Sequence, residues 1–473
     1  MYTIQHKCTK LSMTITSMLF FCCSSYLLLC SADPAENGAV KLDSYFCQQQ
    51  MKPMPINRAA GCYIDKNNLN SKKTQNIQTL SLSGKNISII PYDIFSMTNL
   101  QILDLSNNNL EALPKEITKL TALREIKLNK NKFQNFPIEL LELPNLEVID
   151  ISENRIYLCE VNFSKLRNLK KLNLSRNGII GRIGSLSSCN KLQEIDLSGN
   201  RISYFNFELN PYSIEIINLS NNRISNIPPS IGNLQNIKKL ILSTNNIKEL
   251  PKEFYNLNSL VYLDLSNNEI SDLDTNIAKF EALTTLNLGG NRFKELPSTI
   301  KTLSKLSSFS FSHSKTRTIP AQIFELLNLT YLDISGNHLS GILYSMNDFN
   351  KLYELDVSNN NFTEIPEAIF SLTNLKHLNI SNNFIREIPK QISSLNKIST
   401  LNISNNNIAE IPEDLSSLIN CKILLISGNK LKYLPNSLEK LVNLRMLDLK
   451  QNMLPDSEKE KVKRMLVKVR FIF

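Results

Sequence analysis

From Ile77 to Leu454 apolar residues return at positions 1, 4, 6, 11, 14, 18 and 21 of a 23-residue unit, with polar residues between them. The copy opening at Leu100 shows the full set: Leu100, Leu103, Leu105, Leu110, Leu113, Ile117 and Leu120. Seventeen copies open at Ile77, Leu100, Leu123, Leu146, Leu169, Leu192, Ile214, Ile237, Leu260, Leu283, Leu306, Leu329, Leu352, Leu375, Ile398, Cys421 and Leu444; only the step before Ile214 is 22 residues. Positions 4 and 6 alternate with polar neighbours, which predicts a short strand. Leu263 and Leu265 would face a core, with Tyr262 and Asp264 on the opposite side. One copy cannot bury its apolar side alone, so the copies are expected to stack as a solenoid and pair their strands in one parallel sheet.

The polar positions predict how each coil turns and closes. Asparagine holds the ninth position in 15 of 17 copies, with Lys85 and Ser314 as exceptions. Its buried amide can satisfy backbone groups that the turn leaves unpaired, so this row reads as structure. Pairs such as Ile227-Pro228, Leu250-Pro251, Leu296-Pro297 and Ile388-Pro389 place proline where a short convex-side helix would start. Copies four to six and copy twelve lack that pair. Copies five and twelve instead carry Gly181 and Gly341 four residues after the asparagine, which predicts a tighter or more extended path there.

The recurring Leu-Asp-Leu-Ser-Asn-Asn of residues 103–108 and 263–268, with Leu/Ile-Pro following in most copies, as at Leu113-Pro114, closely resembles leucine-rich repeat proteins of the 23-residue Ras-suppressor/Scribble-like group. The likeness covers about 80% of the chain, residues 77–454. The two glycine-bearing copies resemble the plant-type Leu-x-Gly-x-Ile variant. This resemblance implies an α/β solenoid, a horseshoe with a parallel β-sheet on its concave face and short helices or turns on the convex face. It implies binding in place of catalysis, and leaves the partner open because the fold hosts many. Members of that group are mostly intracellular scaffolds.

The front of the chain departs from that expectation. Lys7 and Lys10 precede an apolar stretch from Leu11 to Cys30, followed by small residues and a polar segment. Residues 1–32 read as a secretory signal peptide, or as a retained signal anchor, and either places the repeats outside the cytosol. An intracellular signalling scaffold is the alternative if the leader is not used. Residues 33–76 are expected to cap the first repeat, with Cys47 and Cys62 as a candidate disulfide. Residues 455–473 are expected to form a C-terminal capping helix, with Ser457-x-x-Glu460 at capping-box spacing. Cys159, Cys189 and Cys421 occupy apolar positions of the repeat and read as buried thiols.

Charge changes the picture little at this level. The net charge of +10 divides into +2 over residues 1–32, +2 over 33–76, +4 over 458–473 and +2 over the rest. A nucleic-acid binder would gather charge on one face, and the sum over the repeats gives no sign of that. Neither a metal or cofactor motif nor a nucleophile constellation occurs, and the fifth-position Asp or Asn of 12 copies forms an open ladder with no converging pocket. The reading is a non-enzyme without cofactor. A protein ligand is expected on the concave sheet, where Tyr262, Tyr331, Asp333, Tyr353, Glu354, Asp356 and His377 combine aromatic and acidic groups. A basic segment with an apolar anchor would fit them. Eight glycosylation sequons occur, four of them the repeat's own wording; Asn86, Asn162, Asn328 and Asn361 lie off the strands and are the candidate glycan sites.

Overall fold

The computed structural model describes residues 77–205, 208–341, 346 and 348–473. The leader, the N-terminal cap and the Cys47–Cys62 pair lie outside the described residues. Each copy contributes one three-residue strand, from β1 (Thr79–Ser81) and β2 (Ile102–Asp104) to β17 (Met446–Asp448). Consecutive strands pair in parallel and in register, so that Leu103 lies beside Leu80 and Ile126. An eighteenth strand, β18 (Arg470–Ile472), pairs with β17 and completes one 18-stranded sheet.

The alternation expected of the strands is present. Leu103 and Leu263 at position 4 and Leu105 and Leu265 at position 6 are fully buried. Their neighbours Ile102, Asp104, Tyr262 and Asp264 look out from the sheet. The opposite side is built from 3-10 turns of mostly five residues. In copy two, Pro114 precedes the turn Lys115–Lys119, and its carbonyl accepts the Ile117 N–H at 3.0 Å. The proline therefore stands one residue before the helical turn and fixes the chain's entry into it.

Copies five and six follow a different path. Among the described residues no 3-10 turn separates β5 (Lys171–Asn173), β6 (Glu194–Asp196) and β7 (Ile216–Asn218). Isolated parallel bridges join Asn135 to Leu158, Cys159 to Ile183 and Tyr204 to Asn226. The convex segment is extended there, as the lost proline pair and Gly181 predict. The short 22-residue step leaves the sheet undisturbed, since Glu194 still faces Ile216. It is absorbed on the far side, where Asn222 accepts from Ile202 across 20 residues and its counterparts in full copies reach back 21.

The ninth-position asparagines bind copy to copy. Asn131 donates from Nδ2 to the carbonyls of Leu105 in the preceding copy and Leu128 in its own, at 2.9 and 3.0 Å. Its Oδ1 accepts the Leu110 N–H at 3.0 Å. The tail corrects one expectation. Residues 455–473 divide into a helix, α1 (Asp456–Met465), and β18. The proposed capping box does not form: Pro455 is the residue before α1, and Glu460 accepts from Lys463 at 2.8 Å. No helix among the described residues is long and apolar enough to cross a membrane.

Candidate functional site

Repetition sets three outward positions per copy side by side along the sheet: 2, 3 and 5. In the first half of the array they are occupied by charges that neutralise one another between copies. Lys170 pairs with Glu147 at 2.6 Å, Lys171 with Glu194 at 2.8 Å and Lys238 with Glu215 at 2.9 Å. Exposed pairs of this kind contribute little stability, but they leave little net field.

The next stretch differs. From β9 (Tyr262–Asp264) to β13 (Glu354–Asp356) these positions hold Tyr262, Tyr331 and Tyr353, hydroxyl or amide residues such as Thr285, Ser308 and Asn287, and carboxylates. They carry no lysine or arginine until Lys376. At its far end, β12 (Tyr331–Asp333), β13 and β14 (His377–Asn379) align Tyr331 with Glu354 and His377, and Asp333 with Asp356 and Asn379. Five of the seven residues singled out in the sequence thus share three adjacent strands, and a sixth, Tyr353, immediately precedes β13. Tyr262 lies three strands away, about 14 Å by strand spacing, with Lys239 Nζ 4.7 Å from its ring centre.

Two of the six are not free to meet a ligand as the sequence suggested. Asp333 and Asp356 are each only 7% exposed. Asp333 holds the Ser335 N–H at 2.9 Å and accepts the Ser310 hydroxyl at 2.9 Å. Asp356 holds the Ser358 N–H at 2.8 Å and accepts from Asn379 Nδ2 at 2.9 Å. The same turn-closing bond recurs from Asp104 to Ser106 and Asp264 to Ser266, so the fifth-position ladder is structural.

Their charges still act on the neighbours. Burial first, then Asp356 and Asp333, raise the Glu354 carboxyl above its usual range. Burial together with Asp333, Asp356 and Glu354 drives the Tyr331 phenol well upward. Burial and Lys376 lower His377, so that its imidazole stays neutral near pH 7. Tyr353 is 42% exposed beside them. The groups left to meet a partner are two tyrosines, one carboxylate and one neutral imidazole. Among the described residues no three His, Cys, Asp or Glu side chains are placed to hold a metal ion.

The candidate glycan sites separate by environment. Asn86, Asn162 and Asn361 are exposed. Asn328 is half-buried; it donates to the Ser304 carbonyl at 2.7 Å and accepts from Lys351 at 2.6 Å. Asn328 belongs to a second asparagine row that the sequence reading passed over. Asn145, Asn168, Asn374, Asn420 and Asn443 stand just before an opening residue, and each donates to a carbonyl 24 residues back. The recurrent Asn before the opening residue was its visible signal.

Models of the family described as leucine rich repeat match residues 75–133, 123–179, 144–202, 213–270 and 350–408, and a leucine-rich repeat region model matches residues 254–364. A leucine-rich repeat protein of Leptospira interrogans is similar in structure, with TM-score 0.65 and 28% identity over 85% of this chain and 98% of that one. A TDR receptor matches with TM-score 0.59 and 27% identity over 80% of this chain and 69% of that one. The functional domain of InlJ from Listeria monocytogenes shares the fold at TM-score 0.58 and 19% identity, over 80% of this chain and 75% of that one. Among curated protein sequences no match was found.

Proposed function

The chain belongs to the leucine-rich repeat family, and from that premise we propose that it is a non-enzymatic recognition protein holding a protein segment against the sheet face of β12–β14. The observation that carries this reading is the sheet-face stretch without lysine or arginine that ends in Tyr331, Tyr353 and Glu354, with His377 on the next strand, four side chains with no hydrogen-bond or ionic partner among the described residues. The partner segment is extended and basic with an aromatic or aliphatic anchor. Its cation meets Glu354 in the field of Asp333 and Asp356, and its anchor lies between the tyrosine rings. The likeness to a TDR receptor supports a recognition role.

The protein acts outside the cytosol, with the leader directing it there, Cys47 and Cys62 bridged in the cap, and glycans on Asn86, Asn162 and Asn361. Selection from a random displayed-peptide library tests the site. Basic peptides with one large apolar residue are the expected enrichment, and the triple variant Tyr331→Ala, Tyr353→Ala, Glu354→Ala should lose them. Retention by the triple variant would remove this surface from consideration. Sequencing the mature N-terminus and mapping glycans test the location; an intact Met1 in a cytosolic pool would favour the scaffold alternative.

A further inference from the structure

We propose that a second surface, the row of tenth-position side chains in copies three to seven, binds a linear polyanionic polysaccharide, sulfated or carboxylated. This row lies past the asparagine turn, off the sheet face, and is independent of the site on β12–β14.

Backbone bonding establishes the row. The tenth-position N–H of each copy donates to the eleventh-position carbonyl of the copy before: Lys132 to Leu110 at 2.8 Å, Arg155 to Phe133, Gly178 to Ile156 and Arg201 to Ile179 at 2.9 Å, and Arg223 to Ile202 at 2.8 Å. Tenth residues therefore stack at about the strand spacing, roughly 5 Å per copy. Their side chains reach one another. In copies nine and ten, the tenth-position Glu269 and Arg292 form an ion pair at 2.9 Å.

Copies three to seven contain no such neutralising partner. The row reads Lys132, Arg155, Gly178, Arg201, Arg223, and among the described residues none of its four cations meets a carboxylate. Arg155, Arg201 and Arg223 are exposed. Arg176, from the eighth position of copy five, is exposed and passes beside Gly199, where a Cβ would come within 3.1 Å of its Cγ. Tyr157 and Tyr204, 51% and 61% exposed, stand two and three residues beyond their copies' arginines. The charge sum over the repeats hid this row because opposite signs gather at different positions: Glu249, Glu295, Glu364, Glu387 and Glu410 all occupy position 13 of later copies.

The arrangement fits one class of ligand. Guanidinium groups bind sulfate and carboxylate through paired N–H donors, and tyrosine faces suit the apolar faces of sugar rings. The cations run single file over about 20 Å, one per copy with a gap at Gly178. A nucleic-acid strand carries a charge about every 3.4 Å, denser than this row can match. A membrane would be met by a two-dimensional patch, not a line.

The test measures affinity of the whole secreted protein for heparin and for hyaluronate, at two salt concentrations. Salt-sensitive binding to either is expected. The variant Arg155→Glu, Arg201→Glu, Arg223→Glu should weaken it about tenfold or more. Lys430→Glu, a tenth-position change in copy sixteen, should leave it unaltered. Gly178→Arg should tighten it, because the gap closes and a Cβ there has room, its nearest neighbour being the Ile156 carbonyl oxygen at 3.5 Å. If the charge-reversed protein does not fold, the Arg→Gln triple is measured in its place. Binding unchanged by the triple, tighter capture of an oligothymidylate or of phosphatidylserine vesicles, or no binding to either polysaccharide would overturn the proposal.

Discussion

Asn268 holds Ile247, 21 residues earlier, through an Oδ1 that accepts the Ile247 N–H at 3.0 Å. Its Nδ2 donates at 2.9 Å to Leu242 of the same earlier copy and at 2.9 Å to Leu265 of its own, all within the buried turn. One side chain thus joins two coils. The row is interrupted at Ser314, whose hydroxyl reaches only Ser312 O at 3.3 Å, and the next residue, Lys315, stands at φ 55°.

Removing one such amide exposes its cost. Asn268→Ala leaves the Ile247 N–H without its partner and removes one of two amide donors from each of the Leu242 and Leu265 carbonyls, which Asn245 and Asn291 still hold, so it should lower stability by about 1–3 kcal/mol. Ser314→Asn restores the missing bonds and should raise it by about 1 kcal/mol. Urea unfolding of both variants checks the pair; equal effects of the same sign would contradict the account.

Gly184 presses against the preceding copy. It donates to the Cys159 carbonyl at 2.9 Å, and a Cβ on it would collide with the backbone of Val161. Gly184→Ala should destabilise by about 1–3 kcal/mol, because backbone and not a flexible side chain must move. Gly341→Ala, with no described residue within 4 Å of the added carbon, should be close to neutral. Thermal unfolding of the two variants makes the comparison.

The carboxylates of the sheet face make a pH signature. The Glu354 carboxyl is raised in the folded state by burial, Asp356 and Asp333, so the folded protein binds its proton more tightly than the unfolded chain. This group therefore favours the fold below the ordinary carboxyl pKa and opposes it once pH exceeds the raised value. Glu354→Gln should stabilise the protein at pH 7, with the gain fading as pH falls through the raised value and gone below about pH 4. Unfolding midpoints measured from pH 3.5 to 7 follow it, and a gain independent of pH would argue against the charge as its cause.

Cys159, Cys189 and Cys421 are free and buried, and burial pushes their thiols to about 12, 11 and 12. Thiolate is the reacting form, so all three should resist a thiol reagent at pH 8 in the native protein and react on unfolding. Peptide mapping after labelling distinguishes them from the other cysteines.

The coil, its strand and its turn were legible along the chain, because each follows from residues within one 23-residue period. Leu263 and Leu265 alternate locally, and the asparagine row announces itself by recurrence. The extended path of copies five and six was also visible, in a missing proline and a glycine. What lies beside what was less so. Only stacking sets Asp356 against Asn379 and shows both fifth-position carboxylates of the candidate site closing turns and not meeting solvent. Only stacking lines Arg155 with Arg201 and Arg223, while a sum of charges along the chain cancelled them against distant glutamates. The physical reason is one of distance. Periodicity specifies how a copy folds on itself, but the fields and hydrogen bonds that make a surface act over a few ångströms between residues 21 to 26 apart in the chain, and those neighbours exist only once the copies have stacked.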